Sequence, residues 1–185
     1  MIKVLSEYCS FRSLRAKFLC LSRISKLIKE WDGMSSEEES NERLVRRWVN
    51  DVLNGEAKST EEWLSCIRER SPDYYDENYV AHHDPLSKGR EGLLDRFASL
   101  AYAFSDVKVD LVLILAKGDL VADCIRVTGT HNGQFLGIPP TGRRVSWLQN
   151  EIFRLKDGKI IEGWVTRDWL GLFQQIGAFG NPKKH

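Results

Sequence analysis

In this 185-residue chain the side chain best placed for acid/base chemistry is Glu151. It lies in Trp147-Leu-Gln149-Asn-Glu151-Ile-Phe153-Arg-Leu155, which alternates as a half-buried strand does. Alternation puts Trp147, Gln149, Glu151, Phe153 and Leu155 on one face, and Ser146, Leu148, Asn150, Ile152 and Arg154 on the other. A carboxylate among apolar neighbours is desolvated, so its pKa rises toward neutrality and it becomes an effective general base. The plainer reading is an ion pair with Arg126, Arg143 or Arg167 on a neighbouring strand. Such a pair inside a pocket would not exclude catalysis.

The second candidate base is His82, in His82-His83-Asp84. Adjacent strand residues point to opposite faces, so the two histidines cannot share one metal, and no metal site is expected. The alternative for His82 is a structural histidine bonded to a backbone carbonyl. Asp84 precedes Pro85 and reads as turn chemistry. Asp168 stands before the last apolar stretch, where an aspartate caps a helix, and it is the candidate assisting acid. Trp147, Gln149, Phe153, Val165 and Arg126 are the candidate ligand contacts. There is no phosphate-binding P-loop, no Gly-rich dinucleotide fingerprint, no Gly-x-Ser-x-Gly elbow and no His-Glu-x-x-His. The chemistry is therefore expected to need no cofactor.

The elements that must position these groups come in two blocks. Ser36 opens a helix with Glu37, Glu38 and Glu39 in its first turn, and Gly55 stops it. A second helix begins at Thr60 and is expected to break at Ser71-Pro72. A short strand is expected over Tyr79–His82, then a third helix from Gly89 that carries Phe97, Leu100 and Phe104 on its inner side. The period then changes to that of strands, over 107–116, 120–130, 143–155 and 160–166, with Gly-containing turns at 117–119 and 156–158. A last helix is expected from Asp168 to about Gly177. Helices followed by a strand meander predict an α+β fold with helices on one face of an antiparallel sheet.

Between the second and third long strands lies Gly129-Thr-His-Asn-Gly-Gln-Phe-Leu-Gly-Ile-Pro-Pro-Thr-Gly-Arg-Arg-Val145. Its glycines and Pro139-Pro140 fix an irregular corner, which Thr130, His131 and Asn132 are expected to brace. This corner, with Tyr79-Val-Ala-His82, Gly89-Arg-Glu-Gly92, Asp157-Gly-Lys-Ile160 and Asp168-Trp-Leu-Gly-Leu-Phe-Gln-Gln-Ile-Gly177, resembles the SnoaL-like ester-cyclase and polyketide-cyclase family over about residues 36–180. The resemblance implies a cone-shaped curved sheet packed on N-terminal helices, with a short C-terminal helix and a pocket between sheet and helices (the nuclear-transport-factor-2-like fold). It also implies a small hydrophobic carbonyl compound as ligand, a homodimer, and an inward-facing ionisable residue where Glu151 stands. Characterised cyclases of the family carry a His and, two residues later, an Asp on the last strand. The matching positions here are Gly163 and Val165, and neither can transfer a proton. Two readings follow. One is a cofactor-free acid/base cyclase, isomerase or hydrolase, with only one or two proton-carrying side chains in a greasy interior. The other is a non-catalytic module that binds a small ligand or dimerises.

The net charge of +1 gives no reason to expect nucleic acid or a membrane as partner of the domain. Cys9, Cys20, Cys66 and Cys124 lack metal-type spacing and read as free thiols of a reducing, cytoplasmic setting. Residues 1–33 hold seven Lys/Arg against three acids, with Leu14, Phe18, Leu21, Ile24, Leu27, Ile28 and Trp31 at near-helical spacing. That pattern fits an organelle transit peptide, a membrane-surface helix, or an upstream extension before a start at Met34. The expected division is an extension over 1–33, a domain over 34–180 and a polar tail over 181–185.

Overall fold

Three glutamates in a first turn favour the positive end of a helix dipole, and they open α1 (Ser36–Arg47). A computed structural model of the protein describes residues 33–57, 59–82, 84 and 88–178. The expected extension (apart from Gly33), His83, Pro85 and the polar tail lie outside the described residues. α1 runs into a π-helical segment, Trp48–Leu53, and the Asn54 N–H bonds back to Val49 O at 3.1 Å. The wider turn keeps Trp48, Val49, Val52 and Leu53 all buried. Trp48 is the centre of the core, packed against Tyr74, Tyr75 and Phe97 with ring centroids 5.0–5.8 Å apart. Its loss would cost about 3–5 kcal/mol.

Helix α2 (Thr60–Tyr74) is capped by Ser59, whose Oγ accepts from Glu62 N at 3.1 Å. It does not stop at Ser71-Pro72 as the proline suggests, but continues through it. Proline at 72 cannot donate to Arg68 O, and the Ser71 hydroxyl donates there instead at 3.2 Å. The chain turns directly into β1 (Tyr75–Ala81), which starts four residues before the sequence expectation. Helix α3 (Gly89–Ala103) follows, and Phe104 begins β2 (Phe104–Lys117) rather than ending the helix. Next come β3 (Leu120–His131), β4 (Arg144–Lys156), β5 (Lys159–Arg167) and helix α4 (Trp169–Ile176), near the expected bounds.

The sheet order is β1-β5-β4-β3-β2. Four strands form the antiparallel meander, and β1 adds to β5 in parallel, so the sheet is mixed. The α+β architecture, the helices on one face and the curved sheet agree with expectation. Curvature comes from bulges in β2, between Ser105 and Lys108 and between Leu111 and Leu113. Asp106 sits at φ 50° within the first bulge. The Gly/Pro corner folds back on His131, which is fully buried. Thr141 N and Gly142 N both donate to His131 O, and His131 Nδ1 lies 3.0 Å from Thr141 Oγ1. Gly133 N donates to Ala103 O, and a Cβ at 133 would overlap the Tyr102 carbonyl. The corner is thereby sealed against the end of α3. The outer face of the sheet exposes Val112, Leu113, Leu148 and Ile152. No helix among the described residues is long and apolar enough to cross a membrane.

Candidate active site

Strand alternation and register decide which side chains meet. Asp123 on β3, Glu151 on β4 and Val165 on β5 stand directly opposite one another. One step along, Ile125, Gln149 and Arg167 form a second row; one step the other way, Val121, Phe153 and Gly163 form a third. Residues directly opposite in a sheet have Cβ atoms about 5 Å apart, so each row is a set of touching side chains. The inner face closes against α3 and β1 around a cavity of about 70 Å³. Its polar lining is Tyr75, Tyr79, Arg96, Gln149, Glu151 and Arg167. Leu53, Trp63, Ala101, Phe104 and Val107 line this cavity and also a wider groove of about 490 Å³.

Asp123 is buried, 5% exposed, behind Glu151. No N–H or O–H group among the described residues reaches either of its oxygens. Its hydrogen-bonding neighbour is the Glu151 carboxyl, and two carboxylates bond only through a proton. Burial raises Asp123, and the adjacent Glu151 charge raises it further, to about 9. Burial raises Glu151 too, but Gln149, Arg167, the Asp123 proton and Arg96 all pull it back. Asp123, which no donor reaches, is therefore the member of the pair that burial favours as the acid, and Glu151, which accepts from Gln149, is the member favoured as the carboxylate. Glu151 is half-buried and lines the cavity, so protein walls replace part of the water around it.

A relay holds Glu151 in place. Gln149 Nε2 donates to Glu151 Oε1 at 2.6 Å, and Arg167 Nε donates to Gln149 Oε1 at 2.7 Å. The Arg167 guanidinium lies over the Trp169 ring, 5.6 Å from its centroid. Burial lowers the Arg167 pKa, and the Glu151 charge opposes that. The Trp147 indole N–H, in the cavity wall, has no partner among the described residues.

Of the ligand contacts expected from the sequence, Trp147, Gln149, Phe153 and Val165 line the cavity, as does Glu151. Three expectations are corrected in position. His82 does not face the cavity. It lies just past β1, its Nε2 is 3.0 Å from Glu162 Oε2, and its ring stacks on Trp164 at 4.4 Å. Arg126 is exposed, because alternation sends its neighbours Ile125 and Val127 inward. Asp168 caps α4, with Oδ1 accepting from Gly171 N at 2.8 Å, and is not in the cavity wall. The interior is also more polar than expected. Asp123, Tyr79 and Arg96 were missed, although Asp123 shares its strand face with Val121, Ile125 and Val127, the same pattern that singles out Glu151.

A sequence model of the SnoaL-like polyketide cyclase family matches residues 43–176, and the chain belongs to that family. It is 30% identical over 135 residues to the aklanonic acid methyl ester cyclase of Streptomyces peucetius, covering 72% of this chain and 88% of that one. It is 29% identical over 107 residues to the nogalonic acid methyl ester cyclase of Streptomyces nogalater, covering 57% of this chain and 78% of that one. Among solved structures it is similar to the SnoaL-like protein of Jannaschia sp. CCS1, assigned as a polyketide cyclase. There the TM-score is 0.67 at 26% identity, covering 80% of this chain and 98% of that one.

Proposed function

We propose that the protein is a cofactor-free acid/base enzyme that removes a proton next to a carbonyl group of a hydrophobic, polyketide-type compound. Glu151 is the base. The observation that carries this reading is the Asp123–Glu151 pair across β3 and β4, of which Glu151 lines the cavity. Val165 on β5 cannot serve as an acid, but it flanks Glu151 from one side as Asp123 flanks it from the other. Asp123 lies outside the cavity wall, so its part is to share a proton with Glu151 and not to meet the substrate.

Proton abstraction by Glu151 would leave an enolate. The enolate carbon either takes a proton back, on the same or the opposite face, or attacks a second carbonyl of the same molecule. The latter is an intramolecular aldol closure, with the proton returned to the new alkoxide. Atoms balance in both cases without a co-reactant. A drug-sized ligand needs a site of about 300–1,000 Å³, so only its reacting end enters the narrow cavity, and the rest lies in the groove past Trp63 and Phe104.

The test uses aklanonic acid methyl ester and nogalonic acid methyl ester as probes, followed chromatographically in deuterium oxide. The wild type is expected to incorporate deuterium or to form a cyclised isomer. Glu151→Gln should lose at least about 100-fold in rate while its melting temperature does not fall. Turnover that survives in Glu151→Gln would refute the assignment. Binding of both probes with no exchange in the wild type would favour the non-catalytic binding module.

A further inference from the structure

Gly163 on β5 has a neighbour that explains its lack of a side chain. A Cβ there would overlap the Tyr79 hydroxyl, with Tyr79 Cζ 3.1 Å and Phe153 Cδ1 3.3 Å away. Tyr79, 1% exposed, thus passes its phenol tip across the bare backbone of β5 and into the cavity wall. The Arg96 guanidinium on α3 is near enough to that phenol for its charge to favour the phenolate. A guanidinium only donates, so it offers no acceptor for the Tyr79 O–H proton. Arg96 Nη1 is inaccessible to solvent and has no hydrogen bond among the described residues; Asp84 Oδ2 stands 3.7 Å from it. Two donors, one neutral and one cationic, therefore stand at the wall that also carries Glu151.

We propose that Tyr79, seated beside Arg96 in the space that Gly163 leaves free, is the oxyanion-binding group of this site, and that the substrate is an enolisable ketone or ester whose oxygen lies against the Tyr79 hydroxyl. This rests on the reading of Glu151 as the base. As Glu151 takes the α-proton, the C–H electron pair forms the carbon–carbon double bond and the carbonyl π pair moves onto oxygen. The new negative charge meets the Tyr79 O–H and the Arg96 guanidinium. Burial, which outweighs the nearby Arg96, pushes Tyr79 up to about 12, so it stays a donor throughout the neutral range. Such donors are fixed before the charge develops, and removal of one typically costs about 10²–10³-fold in rate.

The probe is 4-nitrophenol, whose phenolate resembles an enolate and absorbs visible light. The wild type is expected to bind the ionised form and to shift its ionisation to lower pH. Tyr79→Phe should weaken phenolate binding about tenfold or more. Gly163→Ala, which keeps every charged group but displaces the phenol, should weaken it similarly. Glu151→Gln should bind phenolate at least as well as the wild type, because it removes a nearby negative charge while abolishing proton abstraction. Melting curves establish that each variant is folded. Should Gly163→Ala fail to fold, Tyr79→Phe, which adds no atom, decides the matter. The proposal is overturned if folded Tyr79→Phe binds the phenolate as tightly as the wild type, or if the wild type does not bind it. Survival of turnover in Glu151→Gln with phenolate binding intact would remove the base and leave Tyr79 in its role.

Discussion

Replacing Asp123 by asparagine should make the protein more stable, and increasingly so as the pH rises. In the unfolded chain Asp123 ionises near its usual 3.8, whereas in the fold it holds its proton to about 9. Between those values the folded state binds a proton that the unfolded state has released. Stability therefore falls as pH rises through this window, and is unaffected by the group below pH 3.8. Each pH unit is worth 1.36 kcal/mol, so at pH 7 the penalty approaches about 4 kcal/mol. Asparagine removes it while still donating an N–H to Glu151, as the protonated aspartate does. Because Glu151 shares the titration, a gain of about 2–4 kcal/mol is expected at pH 7, or about 5–15 °C in melting temperature for a domain of this size. At pH 4 the two proteins should melt together. The assay is a set of thermal and urea unfolding curves from pH 4 to 8. An asparagine variant no more stable than the wild type at pH 7, or one whose gain is the same at pH 4, would refute the shared-proton geometry.

Two further expectations follow from positions outside the cavity. Asp168→Ala removes the N-cap of α4 and should cost about 1 kcal/mol in urea unfolding, with turnover of any substrate unchanged, since Asp168 does not line the cavity. Gly133→Ala places a methyl group on the Tyr102 carbonyl, so the corner must lift from the end of α3. A loss of more than about 2 kcal/mol is expected, together with faster amide exchange at Gly133, whose N–H bonds Ala103 O.

The elements were legible because their signals are local. Apolar periodicity, the cap at Asp168, and the Gly-containing turns lie within a few residues of what they determine. The errors came where distant groups intervened or local bonds were rearranged. Pro72 stays in its helix because Ser71 takes over the Arg68 carbonyl. β1 pairs in parallel with β5, far along the chain, and no local pattern signals that partner. The site was half legible for the same reason. Alternation placed Glu151, Gln149, Trp147 and Phe153 on one face, and the family resemblance turned that face inward. It would have placed Asp123 there too, but that Asp123 faces Glu151 is a matter of β3–β4 register. The Tyr79–Gly163 contact joins residues 84 positions apart and has no local trace in the sequence. His82 was misjudged because a strand's end frees its last side chain from the alternation that holds upstream, and Glu162 and Trp164 captured the ring.

The central claim is that one proton is held between Asp123 and Glu151 beside the cavity. It is tested most directly by isotope-edited infrared spectroscopy with labelled aspartate, titrated from pH 5 to 10. A protonated-carboxyl band that persists at pH 7, fades near pH 9 and is missing from Asp123→Asn is the predicted result. A spectrum in which every aspartate is already ionised at pH 7 would contradict it.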